Sequence, residues 1–300
     1  MSSAKKLDEE YADLIADEIN EGVKIIEARS GEEVDASLDR MDVVLCEGQP
    51  PEELLNLAID KGYLQLIYPD AKGFDKELKA SAKLALNPRM IIENPISTIL
   101  SAKNAGPESE KDLTLINVNF SEAREKHNIL EKLNETLDGL KISTSLRADI
   151  VVVADELVTN AIFNAPFVDK DNSDPGAARE NPNVAMENGK MGEFFCGADD
   201  ERIVIGCRDP YGRLNVMKLL EKVRRCYETS VAENMNMTGK GGAGIGSYMI
   251  FNSSTSYFVV VDEDKITLVC SVLPLKGSSR ARQEAPKNLH YVVLKEEGKE

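Results

Sequence analysis

The spacing of apolar residues changes several times along the chain, and each change marks a candidate element. Residues 7–20 carry Leu7, Tyr11, Leu14, Ile15 and Ile19 at helical spacing. A strand-like stretch begins at Val23, followed by a turn at Gly31 and a short helix. Asp42-Val-Val-Leu-Cys-Glu47 has the unbroken apolar run of a strand buried on both faces. Residues 52–61 predict a helix, 64–68 a strand and 76–86 another helix, and Arg89-Met-Ile-Ile-Glu93 closes the series ahead of Asn94-Pro95. Strands separated by helices of about ten residues predict βαβ units in a parallel sheet.

The stretch 102–112 is polar and contains Gly106 and Pro107, which places a domain boundary there, between units at 1–105 and 112–300. Beyond it, the pattern predicts helices at 121–140 and 144–165. Residues 166–190, rich in Asp, Asn, Pro and Gly, predict a long loop. Strands are expected at 192–196 and 202–208 and a helix at 216–227. A hairpin of 256–262 and 265–273 turns around Glu263-Asp264. No internal repeat is visible.

Composition narrows the class. A chain of 300 residues with 42% hydrophobic content can bury two cores. Acids exceed bases by 52 − 36 = 16, which argues against nucleic acid or an anionic membrane as partner, because phosphate contacts need clustered Lys and Arg. No apolar run reaches the roughly 18 to 20 residues of a membrane span. The N-terminus lacks the apolar core of a signal peptide, so the expected location is the cytoplasm. Cys46, Cys196, Cys207, Cys226 and Cys270 form no C-x-x-C pair and read as buried reduced thiols. His127 and His290 are the only histidines, too few for histidine-based metal chemistry.

Three separated segments carry candidate chemistry. In Ala154-Asp-Glu-Leu-Val-Thr-Asn-Ala-Ile-Phe-Asn164, residues Glu156, Asn160 and Asn164 recur every fourth position and share one helical face, while Ile150, Val153 and Leu157 face inward. A carboxylate and an amide one turn apart can hold Mg²⁺ and polarise a hydroxyl. The second segment is a strand ending in Asp209, followed by Pro210-Tyr211-Gly212. Its one carboxylate can accept from the exocyclic amine of adenine, and Gly212 lets backbone approach closely. The third, Gly239-Lys-Gly-Gly-Ala-Gly-Ile-Gly246, runs straight into an apolar helix. Backbone amides freed by Gly242, Gly244 and Gly246 can face phosphate oxygens at a helix N-terminus, and Lys240 can add a charge contact. It is neither a Walker P-loop nor a dinucleotide fingerprint, since no G-K-[ST] ends it and no strand directly precedes it.

Together these segments resemble the GHKL ATPase and kinase superfamily over about residues 113–275. Glu156-x-x-x-Asn160-Ala is similar to its N box, Asp209-x-x-Gly212 stands in place of its first glycine box, and Gly242-x-Gly244-x-Gly246 is similar to its second. The strand 266–274 is similar to the closing strand of the family, whose threonine would be Thr267. The resemblance implies a C-terminal α/β sandwich of the histidine-kinase-like ATPase type that binds ATP or ADP with Mg²⁺. Glu156 would be the general base and Asn160 the Mg²⁺ ligand. Asp209 would read adenine, with Gly212 in the turn, and Asn164 and the closing-strand Thr267 would also line the nucleotide site. Gly242, Gly244 and Gly246 would cradle the phosphates, with Gly239, Lys240 and Gly241 beside them. Residues 215–238 would be the lid. Within the superfamily the sequence looks most like the anti-sigma-factor serine/threonine kinases, which implies phosphotransfer to a regulatory protein, and a homodimer is compatible with that. The sequence departs from the family pattern in places: the turn after Asp209 is one residue longer than the common Asp-x-Gly, the loop 166–190 is longer than usual, and Asn164 replaces a familiar His.

Residues 23–96 resemble a response-regulator receiver domain, a flavodoxin-like parallel sheet, with its first strand missing. Glu47 sits where the phosphoacceptor Asp would be and Asn94-Pro95 where Lys-Pro would be, which implies a pseudo-receiver used for docking. Residues 289–294 are a candidate to fill the missing central strand. Two rival functions follow from the same segments. One is a nucleotide-gated protein-binding switch without phosphotransfer. The other is a histidine kinase, for which His127 lacks the flanking acid and proline, so an exposed helix histidine accounts for it better.

Overall fold

Alternation within the strands explains why one sheet organises the whole chain. In the computed structural model, which describes residues 11, 13–29, 39–71, 73–100, 105–167, 183–228 and 245–294, odd and even strand positions enter two separate cores. Ile203, Ile205 and Cys207 pack with Tyr257, Val259 and Val261 on one face, while Val204, Phe258 and Val260 pack on the other. Both faces are covered, so these strands read as nearly continuous apolar runs.

Nine strands were found among the described residues: β1 (Lys24–Arg29), β2 (Asp42–Glu47), β3 (Tyr63–Ile67), β4 (Thr114–Phe120), β5 (Gly192–Ala198), β6 (Arg202–Asp209), β7 (Ser256–Asp262), β8 (Ile266–Pro274) and β9 (Asn288–Leu294). They form one mixed sheet in the order β1-β2-β3-β9-β7-β8-β6-β5-β4. β1, β2 and β3 are parallel, β9 is antiparallel to β3 and parallel to β7, and the remaining pairs are antiparallel. The fold is therefore α/β, and the sheet runs without a break from the stretch before residue 105 to the stretch after 112.

One face carries α2 (Glu52–Lys61), α7 (Glu125–Asp138), α8 (Thr144–Thr159), α9 (Val216–Glu228) and α10 (Ile245–Ser253). Leu54, Leu55 and Ala58 of α2 share that core with Ile150 of α8 and Phe251 of α10. The opposite face carries α1 (Ala16–Asn20), α3 (Phe74–Leu86), α4 (Met90–Glu93) and α5 (Pro95–Leu100). Two further short helices among the described residues are α6 (Pro107–Leu113) and α11 (Ser279–Glu284). No described helix is long and apolar enough to cross a membrane.

Three expectations from the sequence need correction. Residues 90–93, which close the alternating series, form helix α4 and add no further parallel strand, because β9 occupies the lane beside β3 and Ile91 is buried from a helix instead. No central lane stands open for a missing strand: β1 pairs directly with β2 over six residue pairs, and residues 288–294 join the sheet on the far side of β3. The edge strand β4 was not foreseen. Its Asn117 and Asn119 alternate with the buried Ile116 and Phe120, and asparagine disguises a half-buried strand.

A buried polar network ties the two halves together across β3 and β9. Glu77 on α3 takes Arg202 Nη1 at 3.0 Å on one oxygen and meets His290 Nε2 at 2.8 Å on the other. His290 Nδ1 lies 2.7 Å from Gln65 Oε1, and the ring stacks on Phe258 with centroids 4.0 Å apart. Burial pushes the Glu77 carboxyl up, but His290 and Arg202 outweigh it and hold the group below its ordinary range. A carboxyl depressed in the folded state stabilises above the pH where the unfolded group titrates, and that contribution fades as the pH falls through the folded value. Glu77→Ala leaves a buried guanidinium without its carboxylate, so urea unfolding at pH 7.5 should show a loss of about 3–5 kcal/mol. An unchanged midpoint would contradict this account of the joint.

Candidate functional site

Helix α8 brings the first candidate residues into place. The Ser143 hydroxyl caps its start by accepting from the Leu146 amide at 3.2 Å, and Ile150, Val153, Ala154 and Leu157 bury its inner face. At its C-terminal end the backbone widens into a π turn over Asn160–Asn164. Such turns recur at functional sites because they turn side chains off the regular helical spacing. Asn164 Nδ2 donates to Asn160 Oδ1 at 2.6 Å, which fixes the Asn160 oxygen as an acceptor. Glu156, Asn160 and Asn164 are all half-buried. On the preceding turn, Lys126 from α7 pairs with Asp155 at 2.7 Å and donates to Thr159 Oγ1 at 2.9 Å.

The second group lies on the sheet under that helix. Asp209 is the last residue of β6, and the β6–β8 register places it directly beside Thr267. Asp209 has the parity of Ile203, Ile205 and Cys207, so it faces the layer of helices that contains α8. Both residues are buried, with 7% and 2% exposure. Burial raises the Asp209 carboxyl to about 6, against the opposing pull of the Tyr211 and Gly212 amides, the Thr267 hydroxyl and Lys190. The Tyr211 amide donates to Asp209 Oδ1 at 2.9 Å. The Thr267 hydroxyl lies beside the carboxylate and helps to hold its pKa down, and among the described residues Thr267 Oγ1 makes no hydrogen bond of regular geometry. A buried hydroxyl with hydrogen-bonding capacity to spare beside a desolvated carboxylate makes a polar pair in an otherwise apolar layer.

Gly212 has a left-handed φ of 62°, and any side chain there would collide with the Asp262 carbonyl and the Asp264 and Lys265 amides. The close approach that this glycine permits is to the turn between β7 and β8, which keeps Asp209 and Thr267 in register. Gly239, Lys240, Gly241, Gly242 and Gly244 lie outside the described residues. Gly246 is the second residue of α10, which packs against α8 and α9. α9, the head of the predicted lid, buries Leu219, Leu220 and Val223 and reaches α2 through Arg224 and Glu52, 2.5 Å apart.

Two residues escaped the sequence reasoning. Tyr211, the extra residue in the turn, is buried, and its hydroxyl accepts from the Glu187 amide at 3.1 Å. Lys190 donates to the Pro210 carbonyl at 2.8 Å and lies 4.5 Å from the centre of the Tyr211 ring. An aromatic residue inside a turn of Asp, Pro and Gly is the signal that could have drawn attention to the pair.

A separate cleft of about 640 Å³ opens where β2 and β3 end, at the opposite end of the strands from Asp209. Glu47, Tyr68, Asp70, Phe251, Glu284 and Lys287 are among its walls. Lys287 donates to the carbonyls of Asn252 and Arg282, so its charge sits where α10 and α11 present their negative ends. The described cysteines, Cys46, Cys196, Cys207 and Cys270, are buried and free. His127 is exposed on α7. No cluster of three or more metal-ligating His, Cys, Asp or Glu exists among the described residues.

No protein-family model matches the sequence, and no curated protein matches it significantly.

Proposed function

We propose that the chain binds ATP with Mg²⁺ between helix α8 and the β6–β8 pair, and uses it as a serine/threonine protein kinase of the anti-sigma-factor type. The observation that carries this reading is the buried pair of Asp209 and Thr267, side by side on the face covered by the helices that include α8. A carboxylate and a hydroxyl in an apolar setting suit the amino group and ring nitrogen of a purine. Asn160 would hold Mg²⁺ through its oxygen, a hard donor of the kind this ion takes, oriented by Asn164. Mg²⁺, when bound, offsets phosphate charge. Gly239, Lys240, Gly241, Gly242, Gly244 and Gly246 would supply amides and a charge to the phosphates. Glu156, one turn before Asn160, would take the proton from a serine or threonine hydroxyl of a regulatory protein. The half of the chain that resembles a receiver would dock that partner.

A second reading is a nucleotide-gated switch without phosphotransfer. The packing of α9 on α2 favours it, because a change in the lid would then reach the other half of the chain directly.

Isothermal titration with ATP, ADP and GTP, each with and without Mg²⁺, tests the common part of both readings. We expect one adenine nucleotide per chain, tighter binding of ATP with the metal, and weaker GTP. An absence of heat with every nucleotide would overturn both.

A further inference from the structure

The segment 183–191 joins two places far apart in sequence. At one end its backbone is anchored to the start of α7: the Ala123 amide donates to the Val184 carbonyl at 2.8 Å, and the Met186 amide to the Ser121 carbonyl at 2.7 Å. Met186 is buried there. The chain then bends through Asn188 and Gly189, both with positive φ, and the Lys190 amide returns to the Glu187 carbonyl at 3.0 Å. That bend delivers two contacts to the turn after β6, the Glu187 amide to the Tyr211 hydroxyl and the Lys190 ammonium to the Pro210 carbonyl. Tyr211, gripped at its hydroxyl and its ring, has its own amide committed to Asp209 Oδ1.

We infer that Lys190 and Tyr211 are positioning residues for Asp209, and that the segment carrying Lys190 thereby sets how well the site takes an adenine nucleotide. The inference rests on the nucleotide reading above and adds its control. An Asp-x-Gly turn needs no such brace; the longer turn Asp209-Pro-Tyr-Gly212 has an extra residue to fix, and the brace fixes it from outside. Lys190 acts in two ways. Its hydrogen bond and its contact with the aromatic face hold the turn. Its charge favours the ionised Asp209 that would accept from an amino group. The groups around Asp209 are Lys190, the Tyr211 and Gly212 amides, the Thr267 hydroxyl and the Cys207 thiol on its own strand. α8, packed on β6, carries the charged residues Glu156 and Asp155, the latter tied to Lys126.

The experiment has two arms. In the first, the Asp209 carboxyl is titrated by carbon-detected NMR without nucleotide. Lys190→Met should move its midpoint upward from about 6, and Lys190→Arg should restore it. In the second, ATP affinity is measured from pH 6 to 8.5. Lys190→Met should weaken ATP roughly 3- to 10-fold near pH 6.5 and recover part of the loss by pH 8.5, where Asp209 is ionised regardless. Tyr211→Phe should weaken ATP at every pH, because it loosens the turn without removing a charge. A purely structural lysine would change stability and leave both pH profiles in place, and that outcome overturns the inference. If the wild type binds no nucleotide, the nucleotide reading fails, while the Asp209 titration still decides whether Lys190 acts on it.

Discussion

Asp209→Asn should weaken ATP about 10- to 100-fold and at the same time make the folded chain more stable at neutral pH. The first effect follows from pairing. The adenine amino group needs an acceptor, and an amide that turns its NH₂ toward it leaves a buried donor unpaired, at a cost of about 1–3 kcal/mol. The second follows from burial. The Asp209 carboxyl titrates at about 6, above its ordinary 3.8, chiefly because the ionised form is desolvated. A folded-state value raised for an acid means that the folded chain holds the proton longer than the unfolded chain. Stability is therefore lost as the pH rises from about 4 to about 6, and the full cost, about 3 kcal/mol at two pH units, is present above that window. An amide escapes the cost, can still accept from the Tyr211 amide, and offers a donor to Thr267 Oγ1. Urea unfolding should show the variant ahead of the wild type at pH 7.5, with most of the advantage gone at pH 4.5. Unchanged ATP affinity would refute the adenine assignment. A variant less stable at pH 7.5 would refute the desolvation argument. Such a trade, function held against stability at one residue, is what a preorganised binding group produces.

The sequence disclosed the parts of this site more readily than their assembly. Helix α8 and its polar face were legible because Glu156, Asn160 and Asn164 recur at a helical interval, and the observed bond between the two asparagines keeps that face together even where the helix widens. Strands β6, β7 and β8 were legible because burial on both faces leaves unbroken apolar runs. What no local pattern could show is that Thr267 stands beside Asp209. That contact depends on β8 pairing with β6 across 57 intervening positions, a matter of sheet order rather than of spacing. The same limit hid the position of β9, whose apolar residues fit any lane of the sheet. Residues 89–93 were ambiguous for a related reason, since the three apolar positions Met90, Ile91 and Ile92 suit a buried helix turn as well as a strand, and only the occupancy of the neighbouring lane decides. Lys190 was hidden by composition. It closes a stretch of Asp, Asn, Pro and Gly that reads as plain loop, and its contacts depend on the bend at Asn188 and Gly189.

Glu156→Gln should separate a kinase from a switch. The carboxylate lies one helical turn before Asn160, so a base at Glu156 and a metal ligand at Asn160 would serve the same phosphoryl group from adjacent turns of α8. A general base contributes on the order of 10²- to 10⁴-fold to rate and little to binding of the ground state. The variant should accordingly keep ATP within a few-fold of the wild type and lose phosphotransfer or hydrolysis by about that factor. Asn160→Ala removes a metal ligand instead, so it should lose the Mg²⁺-dependent part of ATP affinity. It should also free Asn164 Nδ2 from its partner, which titrations without the metal would show as a smaller change of their own. The two variants thus divide the site into chemistry and binding, and transfer of labelled phosphate from ATP to candidate partner proteins measures the first directly. If the wild type transfers nothing to any partner and Glu156→Gln behaves identically, the kinase reading is wrong. ATP would then act through α9 and its packing on α2, where Arg224 meets Glu52, and the nucleotide would gate a protein interface.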